Sequence, residues 1–313
     1  MLTSGSKWPR RARGASLVEL LVALVVFGIV GAATLRSLDR QARFHSGMLA
    51  ILESRAQHAA AHEAIAIELR GASTASGDIG PLSDSSIVFR LAVGTGVACA
   101  LTSSSIDLAP DSVSSGQAFA RFRTAPQPGD TAWLFLEGNT DLAGDDRWEG
   151  FPVTAVAHAP GRCPGNALLD PVQDAGRPGW RLTIAGTPPV VALSAGAPVR
   201  LTRKARFALY RGGTGEQWLG FTEANPVTGA WIAIQPVSGP YVPYNASAPR
   251  SSGIALMGRD SSGTASLQAG PGLPVAIALA TRTLTTRQVR MDGIARGRLL
   301  DSLHSLISLR NAR

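Results

Sequence analysis

Residues 15–35, ASLVELLVALVVFGIVGAATL, hold one charged side chain in 21 positions. As a helix rising about 1.5 Å per residue, the run would be ~31 Å long, enough to cross the hydrocarbon core of a bilayer. Lys7, Arg10, Arg11 and Arg13 precede it. The tendency of basic residues to stay inside would hold residues 1–14 in the cytoplasm and send the chain after Leu35 across the membrane. Arg36, Arg40 and Arg43 follow the run and reduce that asymmetry.

The one charge is Glu19. A carboxylate within an apolar span costs ~2.5 to 3.5 kcal/mol on insertion scales and is seldom kept without a partner. A secretory signal peptide cut near Val30-Gly31-Ala32 would account for the basic start and the small residues. A plain single-pass anchor would account for the length. Both leave Glu19 unexplained.

The segment Arg13-Gly14-Ala15-Ser16-Leu17-Val18-Glu19-Leu20-Leu21-Val22-Ala23-Leu24 resembles the N-terminal cleavage and methylation segment of type IV prepilins and pseudopilins. The resemblance implies that a prepilin peptidase cuts after Gly14 and methylates the new N-terminus, Ala15, a position where the family most often has Phe. It also implies that Glu19 pairs with the N-terminal amine of a neighbouring subunit. The chemistry is coherent. Gly14 leaves the backbone open to a peptidase at the membrane face, and the cut creates an amine at the head of an apolar helix. Glu19 lies four residues on, about 6 Å along the axis. Two costly buried charges then offset each other when subunits are in register.

After the span, apolar positions recur at Leu35, Leu38, Ala42, Leu49, Leu52, Ala56 and Ala59, then drift to Ala60, Ala64 and Ile67. Gly71 supplies a C-cap. This predicts one helix from about 16 to 70, ~80 Å long, with a single apolar stripe for packing. Beyond residue 84 the period becomes strand-like, with candidate strands at 87–93, 118–123, 132–136, 151–157, 180–184, 190–193, 199–210, 218–222, 231–234, 254–257 and 275–284. The chain has 34 Gly and 20 Pro, which suits strands and turns rather than a helical bundle. The expected class is α+β: a cleaved basic leader (1–14), a transmembrane half-helix (15–35), an amphipathic half-helix (36–71) and a β-rich, mostly antiparallel head (84–313). No internal repeat is visible.

The net charge of +8 invites a nucleic-acid reading, but the excess sits at the ends. Four basic residues lie in the leader, and residues 275–313 hold seven Arg against Asp292 and Asp301, which leaves the body near neutral. The basic C-terminal stretch has no aromatic residues interleaved to stack bases, so nucleic acid is not the expected partner. The ending Ser305–Asn311 resembles the last strand of the larger minor pseudopilins and pilins. Leu209-Tyr210-Arg211, Trp218-Leu219-Gly220 and the stretch 253–263 resemble that group more weakly.

Catalytic patterns are absent: there is no G-x-S-x-G, HExxH, P-loop or Rossmann sequence. His58 and His62, spaced i and i+4, could face a metal together, but HAAAH lacks a zincin glutamate and a third ligand, and they read as solvated helix residues. Gly212-Gly213-Thr214-Gly215 reads as a hairpin turn. The acidic loop Asn139–Asp146 could hold Ca²⁺ yet lacks EF-hand spacing and reads as solvated. Cys99 and Cys163 would both lie outside the cytoplasm, where a disulfide closing 64 positions would add ~3 to 4 kcal/mol; two buried thiols are the other reading. No cofactor and no metal are expected.

The resemblance therefore implies a non-enzymatic minor pilin or pseudopilin, similar to the large J-type pseudopilins of type II secretion or the W-type minor pilins. It would sit in a bacterial inner membrane with its head outside the cytoplasm, and its partners would be the prepilin peptidase and other pilin-type subunits. The rival reading is a membrane-anchored or secreted β-domain that binds or transforms a ligand.

Overall fold

A computed structural model describes residues 16–74, 77–137, 146–160, 163, 167, 169–189, 196–266, 274–285 and 297–309. One helix, α1 (Leu17–Arg70), runs for 54 residues. It starts where Ser16 accepts a backbone hydrogen bond from Leu20 at 3.1 Å and stops before Gly71, with Arg70 favourably placed against the C-terminal dipole. By its contacts the chain divides into two units, residues 1–53 with 285–299, and residues 54–284 with 300–313. The first contains the apolar half of α1, long and apolar enough to cross a membrane, with its side chains exposed.

The second unit contains the end of α1 and every strand among the described residues. Six strands close a ring. β2 (Ser86–Leu101) pairs with β3 (Ser105–Leu108), β3 with β7 (Pro178–Ile184), and β7 with β6 (Arg147–Pro160). β6 then pairs with β5 (Thr131–Leu136), β5 with β8 (Ala197–Arg211), and β8 returns to β2; all pairings are antiparallel. Closure removes the free edges, and alternate residues such as Ile106, Leu134, Phe151, Leu182 and Leu201 fill the interior.

β2 and β8 are long enough to serve twice. Beyond a register shift between Ala92 and Gly94, the other halves of β2 and β8 carry β1 (Ile79–Leu82) and β9 (Gln217–Glu223), and β10 (Gln235–Tyr241) lies outside β9. The short β4 (Ala120–Phe122) pairs with β2. A second antiparallel sheet has the order β12 (Ala265–Ser266), β11 (Ile254–Arg259), β13 (Ala276–Leu284), β14 (Leu300–Ser308). Ile65 and Leu69 of α1 pack with Phe89, Phe207, Leu256 and Leu279 in a core shared by the two sheets, where Phe89 and Phe207 stack at 5.4 Å. A long apolar helix followed by an antiparallel β-rich domain is the α+β pilin-like class.

Several sequence expectations are placed differently. Residues 231–234 form no strand, only a bridge from Trp231 to Ala224, because the next ladder starts at Gln235. The expected strand at 190–193 lies outside the described residues, and so does the acidic loop 139–146 except for Asp146. The last strand ends at Ser308, followed by the buried Leu309; Arg310 and Asn311 lie outside the described residues. The Gly212–Gly215 turn joins β8 to β9, with Gly215 at a φ of 88°.

Candidate functional site

The first turn of α1 is closed from both sides. The Ser16 hydroxyl accepts from the Val18 amide at 3.3 Å, and the Glu19 carboxylate accepts from the Ser16 amide at 3.3 Å. This is a capping box, in which a serine and a glutamate three residues later satisfy helix-start amides reciprocally. The signal for it in the sequence is the S-x-x-E spacing of Ser16 and Glu19 at the head of the apolar run. Glu19 thus has a local partner within its own chain, and its carboxylate sits at the positive end of the helix dipole. Gly14 and Ala15 lie outside the described residues.

Past the apolar run, Asp39 and Arg43 pair across one helical turn, Arg43 Nε donating to Asp39 Oδ1 at 3.0 Å. The expected packing stripe is not the buried one. Leu35, Leu38, Leu49, Leu52 and Ile67 are exposed, whereas Ser54, His58, Ala61, Ile65 and Leu69 are buried. The reason is chemical. The buried line begins with polar residues whose partners come from β13 and β14, and a hydropathy period does not register them.

His58 and His62 are therefore not solvated, which corrects the expectation. His58 is 2% exposed. Its Nδ1 shares a hydrogen bond with Thr281 Oγ1 at 2.7 Å, and its Nε2 one with Thr283 Oγ1 at 3.2 Å. His62 bridges Ser305 Oγ at 2.6 Å and Thr281 Oγ1 at 3.0 Å. Ser54 bonds Thr283. At the residue before His58, Gln57 O accepts from Tyr241 Oη at 3.0 Å, and burial pushes the Tyr241 phenol up to about 12. Burial pushes both histidines towards neutrality, against the nearby Asp301 carboxylate in the case of His58; His62, also beside His58 and His304, drops to about 4. Among the described residues no group of His, Cys, Asp and Glu could hold a metal ion.

Cys99 at the end of β2 and Cys163 after β6 are joined as a disulfide, with Cα atoms 5.4 Å apart, beside the buried Ala109. Elsewhere the β domain is pinned by a buried ion pair. Asp130 receives Arg203 Nε at 2.7 Å and Nη2 at 3.1 Å, and Arg203 Nη1 reaches Glu223 at 2.9 Å. Gly129 sets up that carboxylate at a φ of 91°, where a Cβ would lie 1.8 Å from the Pro226 carbonyl oxygen. These groups are fully engaged with one another and form structural ties.

Residues 9–35 match the family model of the prokaryotic N-terminal methylation motif. The chain has a type IV prepilin-like N-terminus. No curated protein and no solved structure matches the chain. In this prepilin-like chain the matched segment covers residues 9–14 of the basic N-terminal stretch and the apolar half of α1, and the one apolar helix among the described residues fits a single-pass, membrane-anchored protein. Prepilin-type proteins are in general structural and are processed by a peptidase before assembling with other pilins.

Proposed function

We propose that the chain is a minor pilin or pseudopilin, a structural subunit at the tip or in the initiating complex of a type IV pilus or type II secretion pseudopilus. The methylation motif at residues 9–35 carries the proposal. In this reading residues 1–14 are removed by cleavage after Gly14, Ala15 is methylated, and the β domain lies outside the cytoplasm. The exposed apolar residues support it. Beyond the membrane-length segment, Leu38, Phe44, Leu49, Leu52 and Ile67 of α1 remain uncovered, an arrangement that costs hydration free energy in a lone subunit and is recovered when helices pack side by side.

The capping box sharpens the role of Glu19. In the separate subunit the carboxylate is held by the Ser16 amide; in the assembly it turns to the amine of a neighbouring Ala15. Glu19→Ala should leave cleavage after Gly14 largely intact and abolish assembly. Glu19→Gln is the finer test, because glutamine keeps the capping hydrogen bond and loses the charge. Processed but unassembled Glu19→Gln protein supports the pairing. Normal pili or secretion with either variant contradicts it.

A further inference from the structure

The β12–β11–β13–β14 sheet carries apolar rows on both faces, beside the Thr281, Thr283 and Ser305 seam on the inner one and His304 and Ser302 on the outer one. Its inner face carries Ile254, Leu256, Ile277, Leu279 and Ile307 into the core. By the strand alternation its outer face carries the buried Ala255 and Ala276, the half-buried Met257, Ala278 and Ala280, and the exposed Leu306 of β14, which the register sets side by side: Met257 opposite Ala278, and Ala278 opposite Leu306. An antiparallel sheet with one solvated face ordinarily alternates apolar with polar residues. Here the outer row reads Ala, Ala, Ala before it meets Arg282. This face forms an open groove of about 710 Å³, and Leu306 is 61% exposed.

Two further features indicate what belongs there. β14 is the end strand of the sheet, pairing with β13 alone among the described residues. Its nine residues, LDSLHSLIS, contain neither Lys nor Pro, and their one charged side chain, Asp301, lies at the start of the strand, away from Leu306. The groove is also bordered by Arg250, Arg259 and Arg282. Arg259 donates to the Gly263 carbonyl at 2.7 Å and Arg282 to the Ser252 carbonyl at 3.2 Å, neutral acceptors that leave the guanidinium charges uncompensated. The one carboxylate in the lining, Asp260, is occupied within its own turn by Ser262 and Thr264.

We propose that the outer face of this sheet, together with the edge of β14 that is unpaired among the described residues, docks an extended segment of another polypeptide, apolar at alternate positions and bearing carboxylates that meet Arg250, Arg259 and Arg282. The added strand would satisfy the open backbone groups of β14, and its apolar side chains would cover the Ala/Met/Leu rows, as in strand addition to an exposed sheet edge. The carboxylates would set specificity through charge-assisted bonds to the arginines. The inference does not depend on the pilin reading, since it needs only this sheet and its edge.

The test uses the full-length chain immobilised in detergent micelles and a library of seven-residue peptides with apolar alternate positions and either Asp/Glu, Ser/Thr or Lys/Arg between them. Wild-type protein should enrich the acidic peptides at least tenfold over the basic ones. Arg259→Glu/Arg282→Glu should reverse the preference, and Leu306→Asp should lose the enrichment of the acidic peptides. Equal recovery of acidic and basic peptides by the wild-type chain, or recovery of neither, overturns the proposal. So does crosslinking from position 306 in cells that returns only a second copy or another segment of this chain.

Discussion

His58 on α1 and Thr281 on β13, 223 positions apart in sequence, share a hydrogen bond at 2.7 Å inside the protein. The last turns of the helix are thus attached to the small sheet by a polar seam as well as by the Ile65 and Leu69 contacts. The seam consists of Ser54, His58 and His62 against Thr281, Thr283 and Ser305, with Asp301 and His304 nearby.

That seam should make stability fall with acid before the carboxylates titrate. Both histidines have lowered folded-state values, His62 to about 4 from 6.5. A histidine whose folded value is depressed takes up protons more readily when unfolded, so the stability it contributes is present above about pH 6.5 and is lost progressively towards pH 4. Asp174 and Asp260, held below the usual carboxylate range, lose their contribution only below about pH 4. The thermal midpoint should therefore decline between pH 6.5 and 4, and His62→Gln should flatten that decline. A midpoint constant across that window would contradict the seam.

Breaking the Asp130–Arg203 pair should be severe. Asp130 is fully buried and Arg203 nearly so, and removing one partner of such a pair strands a buried charge at a cost of about 3 to 5 kcal/mol. Asp130→Ala should lower the unfolding free energy by that amount, read as a lower urea midpoint with little change in slope, and Asp130→Ala/Arg203→Met should recover part of the loss. Chemical denaturation followed by tryptophan fluorescence measures both.

The Cys99–Cys163 bond closes 64 positions, and cutting it should cost ~3 to 4 kcal/mol through the greater freedom of the unfolded chain. Cys99→Ser/Cys163→Ser should show this as a lower denaturation midpoint, equal to that of the reduced wild-type protein. An unchanged midpoint on reduction would mean that the bond carries no stability.

Filling the Gly129 turn tests whether the backbone there has any freedom. A Cβ would collide with the Pro226 carbonyl, and the backbone lies in the left-handed region. Gly129→Ala should therefore destabilise by more than the ~1 kcal/mol typical of an ordinary glycine-to-alanine backbone effect, read as a drop in thermal midpoint.

The helix was legible because its signals are local: an unbroken apolar run, then Gly71 one residue past its end. The β8–β9 hairpin was legible from Gly212–Gly215 for the same reason. β1 and β10 were not, since Pro81, Pro236 and Pro240 read as breakers although proline is tolerated in edge strands, and both strands end the large sheet. β3 was missed because Ser105 and Asp107 look solvated, yet Asp107 is buried and receives both Arg181 Nε and Nη2 at 2.6 Å. The ring of six strands depends on pairings such as β2 with β8, more than a hundred residues apart, which no local period encodes. The N-terminal methylation motif was legible because its residues are contiguous; the histidine seam was misread because its partners arrive from the other end of the chain.

The most direct test of the central claim is the mass spectrum of the mature protein from its native membrane. A chain beginning at Ala15, with one methyl group on its amine, is the expected result. An intact Met1, or an N-terminus near Ala32, would contradict it.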